Sequence, residues 1–123
     1  MNKAIVATLA LISLAVAKAE EKAPPPVETK LLKAEYTIYA GELGEQQAPT
    51  RSERKLSIEV TGLAAKEIFD SIYPDAKVTC SEEKGERLRR KKNLWCIYQP
   101  DDGYRCFLGF DLRTGDSIPG GSC

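Results

Sequence analysis

A chain of 123 residues with 18 basic side chains, 18 acidic ones, four cysteines and no histidine already excludes several kinds of function. Zero net charge argues against a dedicated nucleic-acid binder, which carries a strong basic excess. The lack of histidine removes Ser-His and Cys-His catalytic pairs and takes away the commonest nitrogen ligand for a metal.

Residues 1–19 read as a secretory signal peptide. Lys3 supplies a short positive start, Ala4 to Ala17 is apolar apart from Thr8 and Ser13, and Ala17-Lys18-Ala19 has the small-x-small form of a cleavage site. The apolar stretch is shorter than the ~20 residues needed to span a bilayer. No cysteine lies near the cleavage point to carry a lipid anchor. The expectation is a chain cleaved after Ala19, without a membrane span or a nucleic-acid partner, and periplasmic or secreted. The Ala-x-Ala ending favours a bacterial exporter. Loss of Lys3 and Lys18 takes the charge balance from zero to −2.

Residues 20–31 form a Pro-rich leader. Pro24, Pro25 and Pro26 favour polyproline II and keep the segment out of helix and central strand. Residues 32–123 are then a single domain of about 90 residues. Leu32, Ala34, Tyr36, Ile38 and Ala40 alternate with Lys33, Glu35, Thr37 and Tyr39, which predicts a half-buried strand with Tyr39 facing outward. A polar loop from Gly41 to Glu53 follows. Leu56, Ile58 and Val60 then predict a second strand. Over Thr61–Pro74, Ala64, Ala65, Ile68, Phe69 and Ile72 recur at helical spacing; Thr61 stands at the N-cap and Pro74 ends the run.

The remainder reads as β. A short strand is expected at Lys77–Cys80, followed by a charged loop. Asn93–Gln99 and Tyr104–Leu112 flank Pro100-Asp101-Asp102-Gly103, a hairpin turn with Gly103 in the left-handed region. Ser117-Ile118 is a candidate last strand. The predicted fold is α+β, a small antiparallel sheet with one helix in the order β-β-α-β-β-β, stapled by two disulfides in the C-terminal half.

The cysteines are Cys80, Cys96, Cys106 and Cys123, an even set in an exported chain, which implies two disulfides rather than a metal site. If the turn is Asp101-Asp102-Gly103, Cys106 stands opposite Tyr98, and Cys96 is its diagonal neighbour, a poor geometry for a bridge. A turn shifted by one residue would set the two cysteines directly opposite. With Cys96–Cys106 disfavoured, two of the three connectivities remain; Cys80–Cys96 with Cys106–Cys123 is preferred, and it would close Ser81–Trp95 into a protrusion.

That protrusion contains the most unusual feature of the chain, Arg87-Leu88-Arg89-Arg90-Lys91-Lys92, placed just before Trp95. Charge runs of this kind are commonly solvated faces, and Glu82, Glu83, Glu86, Asp101 and Asp102 are near enough in sequence to neutralise it. Read as a recognition surface, Arg87, Arg89, Arg90, Lys91 and Lys92 offer contacts to carboxylate or phosphate groups, and Trp95 adds an aromatic anchor. Catalytic chemistry finds no support. Ser-x-x-Lys occurs at Ser52–Lys55 and Ser81–Lys84 without companion motifs, and the adjacent carboxylates suit turns and solvated loops better than a cleft.

In size and class, with a signal peptide, one helix, a small sheet and two bridges, the chain is similar to several groups of bacterial periplasmic inhibitor and immunity proteins, lysozyme inhibitors among them. The similarity does not extend to sequence motifs, so it assigns no residues. The expectation is an exported binding protein, not an enzyme and without a cofactor or metal, that neutralises an acidic partner protein in the bacterial envelope. The alternative is an envelope-associated protein that binds anionic lipid or polysaccharide through the basic segment.

Overall fold

A computed structural model describes residue 4, residues 10–17 and residues 22–123. The cleavage point expected after Ala19 lies outside the described residues. Among the described residues no helix is long and apolar enough to cross a membrane.

The elements are β1 (Ala34–Glu42), β2 (Glu45–Gln47), β3 (Lys55–Thr61), α1 (Gly62–Ser71), β4 (Arg87–Lys91), β5 (Leu94–Gln99), β6 (Gly103–Asp111) and β7 (Ser117–Ile118). They build one antiparallel sheet in the order β2-β1-β3-β6-β5-β4. β7 pairs with β6 through Gly109–Ile118 and Phe110–Ser117. The architecture is the expected α+β sheet with one helix and two disulfides. Three details of element order differ: a short β2 precedes β3, the first strand after α1 is Arg87–Lys91 rather than Lys77–Cys80, which has no regular structure, and the candidate Ser117-Ile118 forms an additional strand, β7.

The strand periodicity of two sorts side chains onto two faces. On one face, α1 lays Ala65, Phe69 and Ile72 over Val60, Cys96 and Cys106, all buried. Tyr104 meets the Phe69 ring edge-on, with centroids 5.1 Å apart. Burial of a side chain such as Phe69 contributes ~1.5–3 kcal/mol, so this single helical face is a large share of a small domain's stability. Thr61 stands at the N-cap as expected, but its hydroxyl caps nothing; Gly62, at φ 69°, starts the helix with an abrupt change of direction from β3.

On the opposite face Tyr39, Leu88, Trp95 and Ile97 are buried, and Trp95 stacks on Phe107 with centroids 4.3 Å apart. Among the described residues no helix covers this face. The tail after β7 does: Trp95 Nε1 donates to Gly121 O at 3.2 Å, and Ser57 Oγ donates to Gly120 O. A Cβ on Gly121 would lie 2.7 Å from Phe107 Cδ1, so only glycine lets the tail backbone approach this closely. Tyr39 is therefore buried, 2 % exposed, and not outward-facing as its position in the alternation suggested.

The disulfides are Cys80–Cys123 and Cys96–Cys106, which corrects the expected pairing. The reason is the turn. Gln99 pairs with Gly103, and Asp102 N donates to Gln99 O, so the connecting residues are Pro100–Asp102 and the register moves by one residue at the turn. Cys96 and Cys106 then stand directly opposite, with Cα atoms 4.0 Å apart. Cys80–Cys123 ties the tail to the segment before β4, and no covalently closed protrusion is formed.

Candidate functional site

The basic run is an edge strand, not a loop. Leu88 is its anchor: it enters the tail-side core with Trp95, Ile97 and Phe107. That fixes the direction of its neighbours. Arg87, Arg89 and Lys91 project toward the helix side, and Arg90 projects with Leu88 to the other. Lys92 and Asn93 make the turn into β5, with Lys92 at φ 52°.

Arg87 and Arg89 are bound up in the fold. Arg89 donates from Nε to Asp75 Oδ1 at 2.7 Å and from a terminal nitrogen to Phe69 O at 2.8 Å, while its guanidinium lies 4.3 Å from the centre of the Phe69 ring. Phe69 O, near the end of α1, thus accepts from both Ile72 N and Arg89. Arg87 grips both oxygens of the same carboxylate, at 2.8 and 3.1 Å. The hydrogen bonds from Arg87 and then Arg89 hold the Asp75 carboxyl down at about 2, and Asp75 in turn raises the Arg87 guanidinium.

Neutralisation comes from Asp75, not from the acidic residues nearest in sequence. Glu86 is engaged in a different task. Only 8 % exposed, it accepts from Ser81 N at 2.9 Å, Ser81 Oγ at 2.8 Å and Gln99 Nε2 at 2.8 Å. The Ser81 backbone donor, followed by the Gln99 amide, lowers its carboxyl to about 2. Glu86 thus fastens the loop that carries Cys80 to β5.

Arg90, Lys91 and Lys92 remain exposed, and none of them makes an ion pair among the described residues. The Arg90 guanidinium sits 5.8 Å from the Trp95 ring centre. Trp95 itself is 3 % exposed and presents no ring to solvent. The six candidate residues therefore divide: three cations free at the hairpin tip, two arginines committed to Asp75 and α1, and a tryptophan beneath.

The structure also contains a surface that the alternation of β1 concealed. Leu32, Tyr36, Ile38, Leu56, Ile58 and Leu112 line an open apolar trough on the helix side of the sheet. Tyr36 is 72 % exposed and Leu32 60 %. One count could have revealed it. The helix has 10 residues, hence a length of ~15 Å and a width of ~10 Å. Six strands side by side span roughly 25 Å at ~4.8 Å spacing. A single helix of that length leaves part of the face uncovered.

The described residues contain no group of three or more Cys, Asp or Glu side chains placed to hold a metal ion. No protein-family model matches the chain, and no match is found among curated proteins or solved structures.

Proposed function

We propose that the protein is an exported, non-enzymatic binding protein that neutralises an acidic partner protein in the bacterial envelope through the tip of the β4–β5 hairpin. The observation that carries this reading is the set Arg90, Lys91 and Lys92: three adjacent cations with no counter-ion among the described residues, at the end of β4 and the start of its turn into β5. The hairpin is braced on both sides, by Leu88 and Trp95 in the tail-side core and by Arg87 and Arg89 on Asp75. A tip held this way loses little entropy on docking, which suits tight inhibition.

A second reading has its own observation. With Trp95 buried, the exposed tip is charge without an aromatic centre, which suits an anionic lipid headgroup or polysaccharide. Affinity capture from envelope extracts, with wild type beside an Arg90→Ser, Lys91→Ser, Lys92→Ser variant, separates the two. A single acidic protein held in moderate salt by the wild type and lost by the variant supports the inhibitor. Lipid or polysaccharide released by modest salt supports the alternative. Equal capture by both forms removes the hairpin tip from consideration.

A further inference from the structure

The sheet has two long edge strands, and they are guarded differently. β4 carries Arg87, Arg89, Arg90 and Lys91, and Ala76 N caps Leu88 O on its outer side. A second β4 laid alongside would meet like charge. β1 lacks such protection. Lys33 O accepts from Thr61 N, so odd-numbered positions turn their backbone groups toward β3, and Ala34, Tyr36 and Ile38 direct theirs outward. β2 covers that edge only at Ala40–Glu42. The open stretch borders the apolar trough. Such an edge, with apolar surface beside it, is a template for another strand.

The residues along it point to the occupant. Leu32-Lys33-Ala34-Glu35-Tyr36 reads apolar, positive, small, negative, apolar, a pattern that complements itself when the strand is reversed about Ala34. Neither Lys33 nor Glu35 has an ion-pair partner among the described residues. Glu35 instead stands directly across from Glu59, a like-charge neighbour.

We propose that two copies of the chain pair through β1 as a two-fold dimer, antiparallel, with Ala34 opposite Ala34 of the second copy. This register sets Lys33 opposite Glu35 of the second copy, and Glu35 opposite its Lys33, on the tail side. On the helix side each Leu32 meets a Tyr36, which joins the two apolar troughs. The outward N–H and C=O groups of Leu32, Ala34 and Tyr36 fall in hydrogen-bonded pairs. A shift of one pairing step sets Glu35 against Glu35 and is disfavoured by the same charges.

Sedimentation velocity on the exported protein, over a concentration series reaching its solubility limit, tests this. The wild type is expected to shift from monomer to dimer. Glu35→Lys weakens the dimer by about tenfold or more, because two attractive cross-strand pairs become repulsive. The same change replaces the Glu35–Glu59 repulsion within one chain by an attraction, so the monomer's urea midpoint stays level or rises. Association and folding therefore respond in opposite directions. Lys33→Glu combined with Glu35→Lys restores the dimer. A wild type that remains monomeric throughout, a Glu35→Lys variant that dimerises as well as wild type, or a double variant that fails to recover overturns the proposal; a monomer would leave this edge to a different protein.

Discussion

Arg89→Ala separates the arginines that hold the fold from the cations that do not. Three contacts go at once. The charged hydrogen bond to Phe69 O, at 2.8 Å, is worth ~1.5–3 kcal/mol. Stacking on the Phe69 ring, at 4.3 Å, contributes ~1 kcal/mol. The pair with Asp75, whose carboxylate is 40 % exposed, is screened and adds ~0.5 kcal/mol. These contacts share one side chain and are not additive, so the expected loss is ~3 kcal/mol. By contrast, Arg90→Ala, Lys91→Ala and Lys92→Ala should each cost below ~0.5 kcal/mol. Urea unfolding with the disulfides intact can be followed through Trp95, the only tryptophan, which is buried in the native state. With a slope of ~1.5 kcal/mol/M, Arg89→Ala should lower the midpoint by roughly 2 M. Arg89→Lys should recover only part of this, because an ammonium lacks the planar fork that reaches both acceptors. An Arg89→Ala midpoint equal to wild type, or an Arg90→Ala loss of the same size, would refute the division drawn between these residues.

Two further outcomes are expected. Replacing Cys80 and Cys123 by Ser should cost ~4 kcal/mol by chain entropy, since the bridge spans 43 positions, and should red-shift native Trp95 fluorescence as the tail lifts away; an unchanged spectrum with wild-type stability would mean that the backbone contacts of Gly120 and Gly121 hold the tail alone. Asp75 and Glu86 both have folded-state values of about 2, below those of unfolded carboxyls near 4. Their contribution is complete above pH ~4 and is lost as pH falls from ~4 toward ~2. Asp75→Asn should flatten that part of a stability-versus-pH curve; a wild-type curve already flat between pH 5 and pH 2 would contradict the lowered values.

The parts of this fold legible in the sequence are those set by local periodicity. β1, β3, α1 and the β5–β6 hairpin follow from spacing alone, because apolar side chains at intervals of two or of three and four leave few ways to bury them. β4 was hidden because its inward side chain, Leu88, stands alone among cations, and one apolar residue makes no period. The disulfide pairing depended on whether Gly103 belonged to the turn or to the strand, a difference of one residue that decides whether Cys96 and Cys106 meet. Tyr39 was misplaced because alternation says which residues share a face but not which face is covered. Two faces compete here, one covered by a helix visible in the sequence and the other by a glycine-rich tail with no periodic signal. The basic run was legible as unusual, but its partition was not, because Asp75 reaches Arg87 and Arg89 only through the path of the chain between α1 and β4.

The tail that closes the second face also follows every strand in chain order. A chain made from its N-terminus forward can assemble β1, β3, α1 and the β4–β5–β6 meander before Pro119–Cys123 emerge. Until then Trp95, Phe107 and Leu88 lack the cover of the tail, and Cys80 lacks its partner Cys123. In that order of folding one face is complete while the other still waits for the five residues, Pro119–Cys123, that cover Trp95 and lock Cys80.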